Sequence, residues 1–347
     1  MIIDCLLLLL MIICALVIVQ MKDLLSALTL LSIYSLVMAL VWVRMYAPDV
    51  ALTEAAVGAG ITTILFIAAL SKTKRGEKPS KEESFGVVKL LRCSGGVALV
   101  VTLIVATLLA IGTVDMLDYG DINSPANTHV AAEYIKNAYK ETGSKNIVTA
   151  ILVCYRGFDT FGEVVVIFTA GIGTVLLLRK ATGKKQKEKE RDFERSIICT
   201  YHGDEIRSKM PSGIIRKVVA KLSIAFIMLY GLYVIAHGKV SPGGGFQGGV
   251  IIAAGVILFI LAFGMKEGLK RFEQWKTDVM CSLGVLVLLV TSSLPMFFGG
   301  KFMEFVVVPI VDPIWSSKIA ITVIEFGIGL TVAAVMVTLF VETAKKN

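Results

Sequence analysis

Residues 1–19 read MIIDCLLLLLMIICALVIV, an apolar run with a single charge, Asp4. A bilayer hydrocarbon core of about 30 Å is crossed by roughly 20 apolar residues wound as a helix, so this stretch has the length and composition of a membrane span. It carries no basic region ahead of the apolar run, and Val19-Gln20-Met21-Lys22-Asp23 offers no small-residue cleavage site. It therefore reads as a retained helix rather than a signal peptide.

Working outward from it, comparable windows recur at 24–43, 49–71, 87–113, 146–179, 217–236, 248–265, 277–298 and 318–341. Hydrophobic residues make up 56% of the 347, against roughly 45–50% in a soluble domain. The expected fold is an all-α integral membrane protein of about nine transmembrane helices.

The net charge is +8, and its placement sets an expected topology. Segments 21–23, 72–92, 179–221, 265–276 and 342–347 hold 27 of the 35 Lys and Arg residues. Because basic residues collect in cytoplasmic loops, this alternation puts the N-terminus outside and the C-terminus in the cytoplasm. The basic-poor segments carry Asp49, Asp115, Asp118, Asp121, Glu133, Glu141, Glu304 and Asp312. The run Lys184 to Arg191 reads as a solvated, topology-setting linker between spans rather than a nucleic-acid site.

Charge and Pro/Gly punctuation divide the chain into a three-helix block at 1–71, a charged cytoplasmic linker at 72–84, a two-helix block at 85–179, a basic cytoplasmic linker at 180–216 and a four-helix block at 217–347. Within 126–142, Val130, Tyr134, Ile135 and Ala138 recur at helical spacing before Gly143, which predicts a short amphipathic surface helix. Residues 301–317 predict a short hairpin or a re-entrant piece. The six cysteines show no Cys-x-x-Cys spacing, so neither an iron–sulfur cluster nor a zinc site is expected. No cofactor is expected.

Ionisable groups inside a membrane are costly and mark ion paths or paired contacts. Arg156, Asp159 and Glu163 are spaced i, i+3 and i+7, which on one continuous helix puts them on one face with Thr160 at its edge. Arg156 and Asp159 can pair one turn apart, leaving Glu163 as the carboxylate free to exchange a proton; the competing reading is an ion-pair network that docks this helix on a partner. Pro48-Asp49 suits a helix start, with Glu54 deeper beside Ala51, Ala55, Ala59, Ala56 and Gly60, small residues that admit a neighbouring helix. Glu54 is either a relay carboxylate or an interhelical anchor. Glu325 is the only charge between Lys318 and Glu342 and needs a partner from another helix or subunit.

His237-Gly238-Lys239-Val240-Ser241-Pro242 runs into Gly243-Gly244-Gly245-Phe246-Gln247-Gly248-Gly249. These glycines formally fit G-x-G-x-x-G, but no strand or βαβ unit precedes them, so the dinucleotide reading fails. A break that exposes backbone groups or packs tightly on another subunit fits better.

Three stretches resemble the Mrp-type multisubunit sodium/proton antiporters and the related membrane-bound hydrogenases. Pro48 to Phe66 resembles the D-type hydrogenase module, Asn146 to Glu163 the E-type module, and His237 to Gly249 the antiporter B-type domain. The resemblance implies a non-redox subunit in the cell membrane of a prokaryote, partnered by other membrane subunits including antiporter-like ones. It implies a charged Na⁺ or H⁺ path near Glu54, Arg156, Asp159 and Glu163, with no enzymatic site in this chain and no nucleic-acid partner, although the whole complex can be redox-driven. Asp159 and Glu163 would be transient Na⁺ contacts, and no resident metal is expected. Asp49, His237 and Lys239 are secondary candidates; relatives often carry a second His where Lys239 stands, which speaks against a His relay. The large A-type antiporter polypeptides begin with a many-helix antiporter domain, whereas Met1 here starts at the D-type helices, so the chain is expected to be a fusion of D-, E- and B-type modules without that unit.

The sequence thus supports two functions: an ion-translocating subunit using Glu54, Asp159, Glu163 and Glu325, or a structural bridge whose buried charges hold antiporter-like partners together.

Overall fold

The computed structural model describes residues 2–71, 73, 95–117, 120–178, 211–309 and 312–344. The charged linker at 72–84 apart from Thr73, the basic linker over 180–210 with its run Lys184 to Arg191, Asp118, and the first residues of the helix expected at 87–113 lie outside these. Every regular element among the described residues is helical. The chain divides into two compact units, one of Met1–Arg75 with Ala138–Asn347 and one of Gly76–Asn137.

In the larger unit, α1 (Ile2–Gln20) and α2 (Leu24–Arg44) are joined by a three-residue link and pack antiparallel. Asp23 caps α2, its carboxylate accepting from the Ser26 amide at 3.3 Å and hydroxyl at 2.6 Å, and so satisfies a donor that the helix cannot. At the far end Arg44 pairs with Asp4 at 2.9 Å. The third span, α3 (Pro48–Leu70), starts with Pro48 in its first turn and winds as a wider π helix over Glu54–Ile61.

One continuous helix was expected over 146–179, and this is corrected. The chain forms α6 (Ile147–Ala150, continued by a π turn over Ile151–Tyr155), leaves helical geometry at Arg156 (φ −123°, ψ 34°), and restarts as α7 (Gly157–Leu178). Backbone that leaves helical geometry needs other partners for its polar groups: the Thr160 hydroxyl donates to the Leu152 carbonyl across the break at 2.7 Å. Gly157, lacking a Cβ, lies against the sulfur of Met303.

The remaining helices are α8 (Pro211–His237), α9 (Gly245–Phe263), the short α10 (Met265–Arg271), α11 (Gln274–Ser293) and α12 (Pro313–Ala344). The 32-residue α12 packs along α9, α11 and α7. Glycine permits this closeness: a Cβ on Gly249 would stand 2.7 Å from the Gly329 carbonyl oxygen, and one on Gly284 would stand 2.6 Å from that of Gly327. The glycine-rich run therefore serves tight packing inside this chain, beside the exposed backbone groups or tight packing on another subunit that the sequence predicts. Residues 301–317 form neither strand nor hairpin among their described members: a 3-10 turn at Phe305–Val307 follows Met303 (φ 64°), and Met303, Phe305 and Val308 are buried.

In the smaller unit, α4 (Gly95–Val114) is a 20-residue apolar helix. A π turn at Ala126–Val130 leads into the amphipathic α5 (Ala131–Thr142), whose last residues belong to the larger unit. Gly143 ends α5 with φ +69°, the left-handed stop that glycine supplies.

Eight helices among the described residues are long and apolar enough to cross a membrane. The ninth expected span, at 87–113, corresponds to α4, and its first residues lie outside the described ones.

Candidate functional site

The first residues of α3, the start of α6 and the turn between α8 and α9 meet at Asp49. Asp49 is buried, and its carboxylate accepts from Asn146 Nδ2 at 3.2 Å and from the Gly243 amide at 3.0 Å. Asn146 also caps α6 through Val148 N at 2.9 Å and donates to the carbonyls of Gly238 at 3.0 Å and Ser241 at 3.1 Å. The Thr149 hydroxyl donates to the same Gly238 carbonyl at 2.8 Å. The turn presents these groups because Gly243 (φ +149°) and Gly244 (φ +148°) adopt backbone angles open essentially to glycine alone.

Beneath this turn lies Glu325 of α12, 4% exposed. Its carboxylate rests against bare backbone: a Cβ on Gly238 would stand 2.8 Å from Oε1 and 3.0 Å from Oε2, and one on Gly244 would stand 3.8 Å from Oε1. Among the described residues no hydrogen-bond donor reaches it. Lys239 and Asp49 are the charged groups that act on it electrostatically.

Asp49, Thr53, Thr160, Glu163, Gln247 and Glu325 line one cavity of about 260 Å³. Gln247 Nε2 donates to Thr53 Oγ1 at 2.9 Å on its wall. Glu163, exposed, stands at the rim. A carboxylate in a low-dielectric setting without a donor needs a compensating positive charge, and a proton or a small cation can supply it. Among the described residues no cluster of three or more His, Cys, Asp or Glu forms a metal site.

Of the other sequence-selected residues, Arg156, Asp159, Glu54, His237 and Lys239 lie outside this cavity. The face shared by Arg156, Asp159 and Glu163 rested on a continuous helix, and the break at Arg156 removes that premise. Arg156 and Asp159 pair at 2.6 Å with side chains 64% and 55% exposed, away from the cavity that Glu163 borders. Thr160 is held by the Leu152 carbonyl. Glu54 turns along α3 toward α2, where a Cβ on Gly58 would meet Glu54 Oε1 at 2.5 Å and Ser35 Oγ at 2.7 Å. His237 stacks on Tyr233 with centroids 4.5 Å apart, and Lys239 Nζ donates to Thr322 Oγ1 at 2.9 Å. Sequence reasoning passed over Asn146, Thr53 and Gln247. An Asn directly ahead of an apolar run is a cap signal, and Gln247 is the one amide inside the glycine run; neither signal names the distant partner.

Three family models match successive parts of the chain: MbhD, the D component of MBH, over residues 9–75; MbhE, the E component of MBH, over 99–189; and a domain related to the MnhB component of Na⁺/H⁺ antiporters over 215–338. A protein of Rhizobium meliloti (strain 1021) named as the A/B component of a K(+)/H(+) antiporter is 27% identical over 290 residues, which are 80% of this chain and 28% of that protein. A Staphylococcus epidermidis antiporter protein, mnhB2, is 35% identical over 131 residues, 37% of this chain and 92% of that one. In structure, a chain of the Mrp complex from Dietzia sp. DQ12-45-1b superposes with TM-score 0.71 at 22% identity, over 98% of this chain and 34% of that one. A chain of the membrane-bound sulfane sulfur reductase, an archaeal respiratory membrane complex, superposes with TM-score 0.53 at 26% identity, over 72% and 98%. The chain spans 28% of the length of the Rhizobium relative and 34% of the Dietzia chain. With its apolar helices and these relatives, it is a multi-pass prokaryotic membrane protein that belongs to the Mrp-type antiporter and membrane-bound hydrogenase family, joining MbhD, MbhE and MnhB-related domains in one polypeptide.

Proposed function

We propose that this chain is a non-redox membrane subunit of an Mrp-type or hydrogenase-linked cation/proton antiporter complex, and that it passes H⁺ or Na⁺ between Glu163 at the cavity rim and Glu325 within. The observation that carries this reading is the cavity of about 260 Å³ where residues of all three matched domains meet around a buried carboxylate that lacks a hydrogen-bond donor. A cation or proton entering there is stabilised by Glu325 and Glu163, while Thr53, Thr160, Gln247 and the surrounding backbone offer oxygen ligands suited to a hard ion. Antiporter-like membrane subunits are the partners, and the driving force is an ion gradient or a redox arm on those subunits. The bias of Lys and Arg toward alternate segments supports a topology with the N-terminus outside and the C-terminus cytoplasmic.

A second reading, a structural bridge, is favoured by Asp49: its carboxylate is engaged by Asn146 and Gly243 and acts as a clasp. One experiment separates the two. ²²Na⁺ and proton fluxes are measured in vesicles carrying the intact complex, wild type against Glu325→Gln and Glu163→Gln, with assembly followed by co-purification. Ion passage requires flux to collapse while assembly persists. Unchanged flux in assembled variants rejects the path and leaves the bridge.

A further inference from the structure

A larger cleft, of about 480 Å³, opens where the end of α5, the α8–α9 turn and the first turns of α12 meet. Three lysines line it, Lys145, Lys239 and Lys318, and no carboxylate does. Among the described residues none of the three is within ion-pair distance of an acid. Lys239 is steered by its bond to Thr322 at 2.9 Å. Lys318 is held twice over: its ammonium stands 5.4 Å from the centre of the Trp315 ring, and its aliphatic stem lies on Gly143, where a Cβ would collide with it. Gly143 thus stops α5 and seats a cationic side chain.

Three lysines lining one cleft carry like charge, and an anion among them is attracted by all three. The anion's nature follows from the wall below. Trp315, Ile319 and Val323 are 56%, 39% and 38% exposed and descend from the cleft along α12, itself a membrane span. A cationic pocket rimmed by an interfacial Trp and continued by an apolar helix face matches a phosphate attached to an acyl chain.

We propose that the Lys145, Lys239 and Lys318 cleft is a phosphate site occupied by the headgroup of an anionic phospholipid whose acyl chain lies along Ile319 and Val323. The cleft and the carboxylate cavity have no lining residue in common, and Lys239 is the charge that also acts on Glu325.

The test uses the intact complex in phosphatidylcholine nanodiscs doped with a phosphatidylglycerol or a phosphatidylcholine bearing a photoreactive acyl chain, with labelled peptides mapped by mass spectrometry. Phosphatidylglycerol is expected to label the 319–323 region well above phosphatidylcholine. At roughly fivefold per lysine near an anionic surface, Lys145→Gln with Lys318→Gln lowers that preference about 25-fold, whereas Lys145→Arg with Lys318→Arg retains it. A parallel arm measures binding of inorganic [³²P]phosphate to the same complexes. Lysine-dependent phosphate binding without lipid preference keeps the anion site but assigns it to a free phosphate. Equal labelling by both lipids in wild type and the Gln variant, with no phosphate binding, overturns the proposal, as does loss of labelling in the assembled Arg variant.

Discussion

The two ends of the chain are both helical and apolar, yet they are built for different surroundings. In α12, 61% of the most hydropathic window is buried within the chain, whereas in α1 the share is 11%. Large side chains of α1 such as Leu6, Leu9 and Ile12 are more than half exposed, while Ile321, Ile324 and Val332 of α12 are closed off completely. Apolar side chains gain little by leaving lipid for protein, so close helix contact in a membrane depends on shape and polar bonds. The C-terminal domain has both, in glycines at its helix crossings and hydroxyls such as Thr331, which donates to the Gly327 carbonyl at 3.0 Å. The N-terminal hairpin has chiefly Asp4–Arg44 and the Asp23 cap, and leaves its apolar surface for lipid or partner subunits.

Substitutions at three positions probe this contrast. The largest effect is expected at Gly284→Leu, where a side chain would enter the carbonyl-lined crossing of α11 and α12. Overpacking of this kind costs about 3 kcal/mol, visible as a lower midpoint in SDS titration of the purified protein; an unchanged midpoint would mean that the helices separate easily. Asp49→Ala comes next. It strips the Gly243 amide of its acceptor while Asn146 keeps two carbonyls, a loss of about 2 kcal/mol for a hydrogen bond to a charged group. Asp49→Asn, which keeps an acceptor oxygen, should recover part of it, and equal loss in both variants would place the effect on charge rather than on the bond. The smallest effect belongs to Leu9→Ala on α1, below about 0.5 kcal/mol for a lipid-facing site. A larger fall in the isolated protein would show that α1 is packed more firmly than its exposure indicates.

Much of the fold was legible in the sequence, because a bilayer demands long apolar helices and those are one-dimensional features. The extents of α1, α2 and α3, the amphipathic α5 and its glycine stop all followed from windows and caps. The break at Arg156 did not, since no proline marks it and it is held by the Thr160 hydroxyl on the Leu152 carbonyl and by Met303 against Gly157. The site was legible as a set of residue types and not as a constellation. Glu163, Glu325 and Asp49 could be selected one by one as costly charges in or near the membrane, but their common cavity depends on where the glycine turn folds over α12. The i, i+3, i+7 argument for Arg156, Asp159 and Glu163 assumed a straight helix; the expected Arg156–Asp159 pair forms, but across the helix break, and Glu163 borders the cavity without it.

The Asp49 clasp bears on how such a polypeptide can be divided. Its hydrogen bonds run between the first, second and third matched domains and use neither connecting segment, so what binds the pieces side by side is distinct from what joins them end to end. Two polypeptides made by a gene cut between residues 180 and 210 are expected to co-purify through the contacts of Asn146 and Asp49 with Gly238 and Gly243. Fusion of the reading frames then governs stoichiometry and timing of synthesis, while the architecture itself can be dealt out over separate chains, as the free-standing mnhB2 protein of Staphylococcus epidermidis illustrates for the last domain.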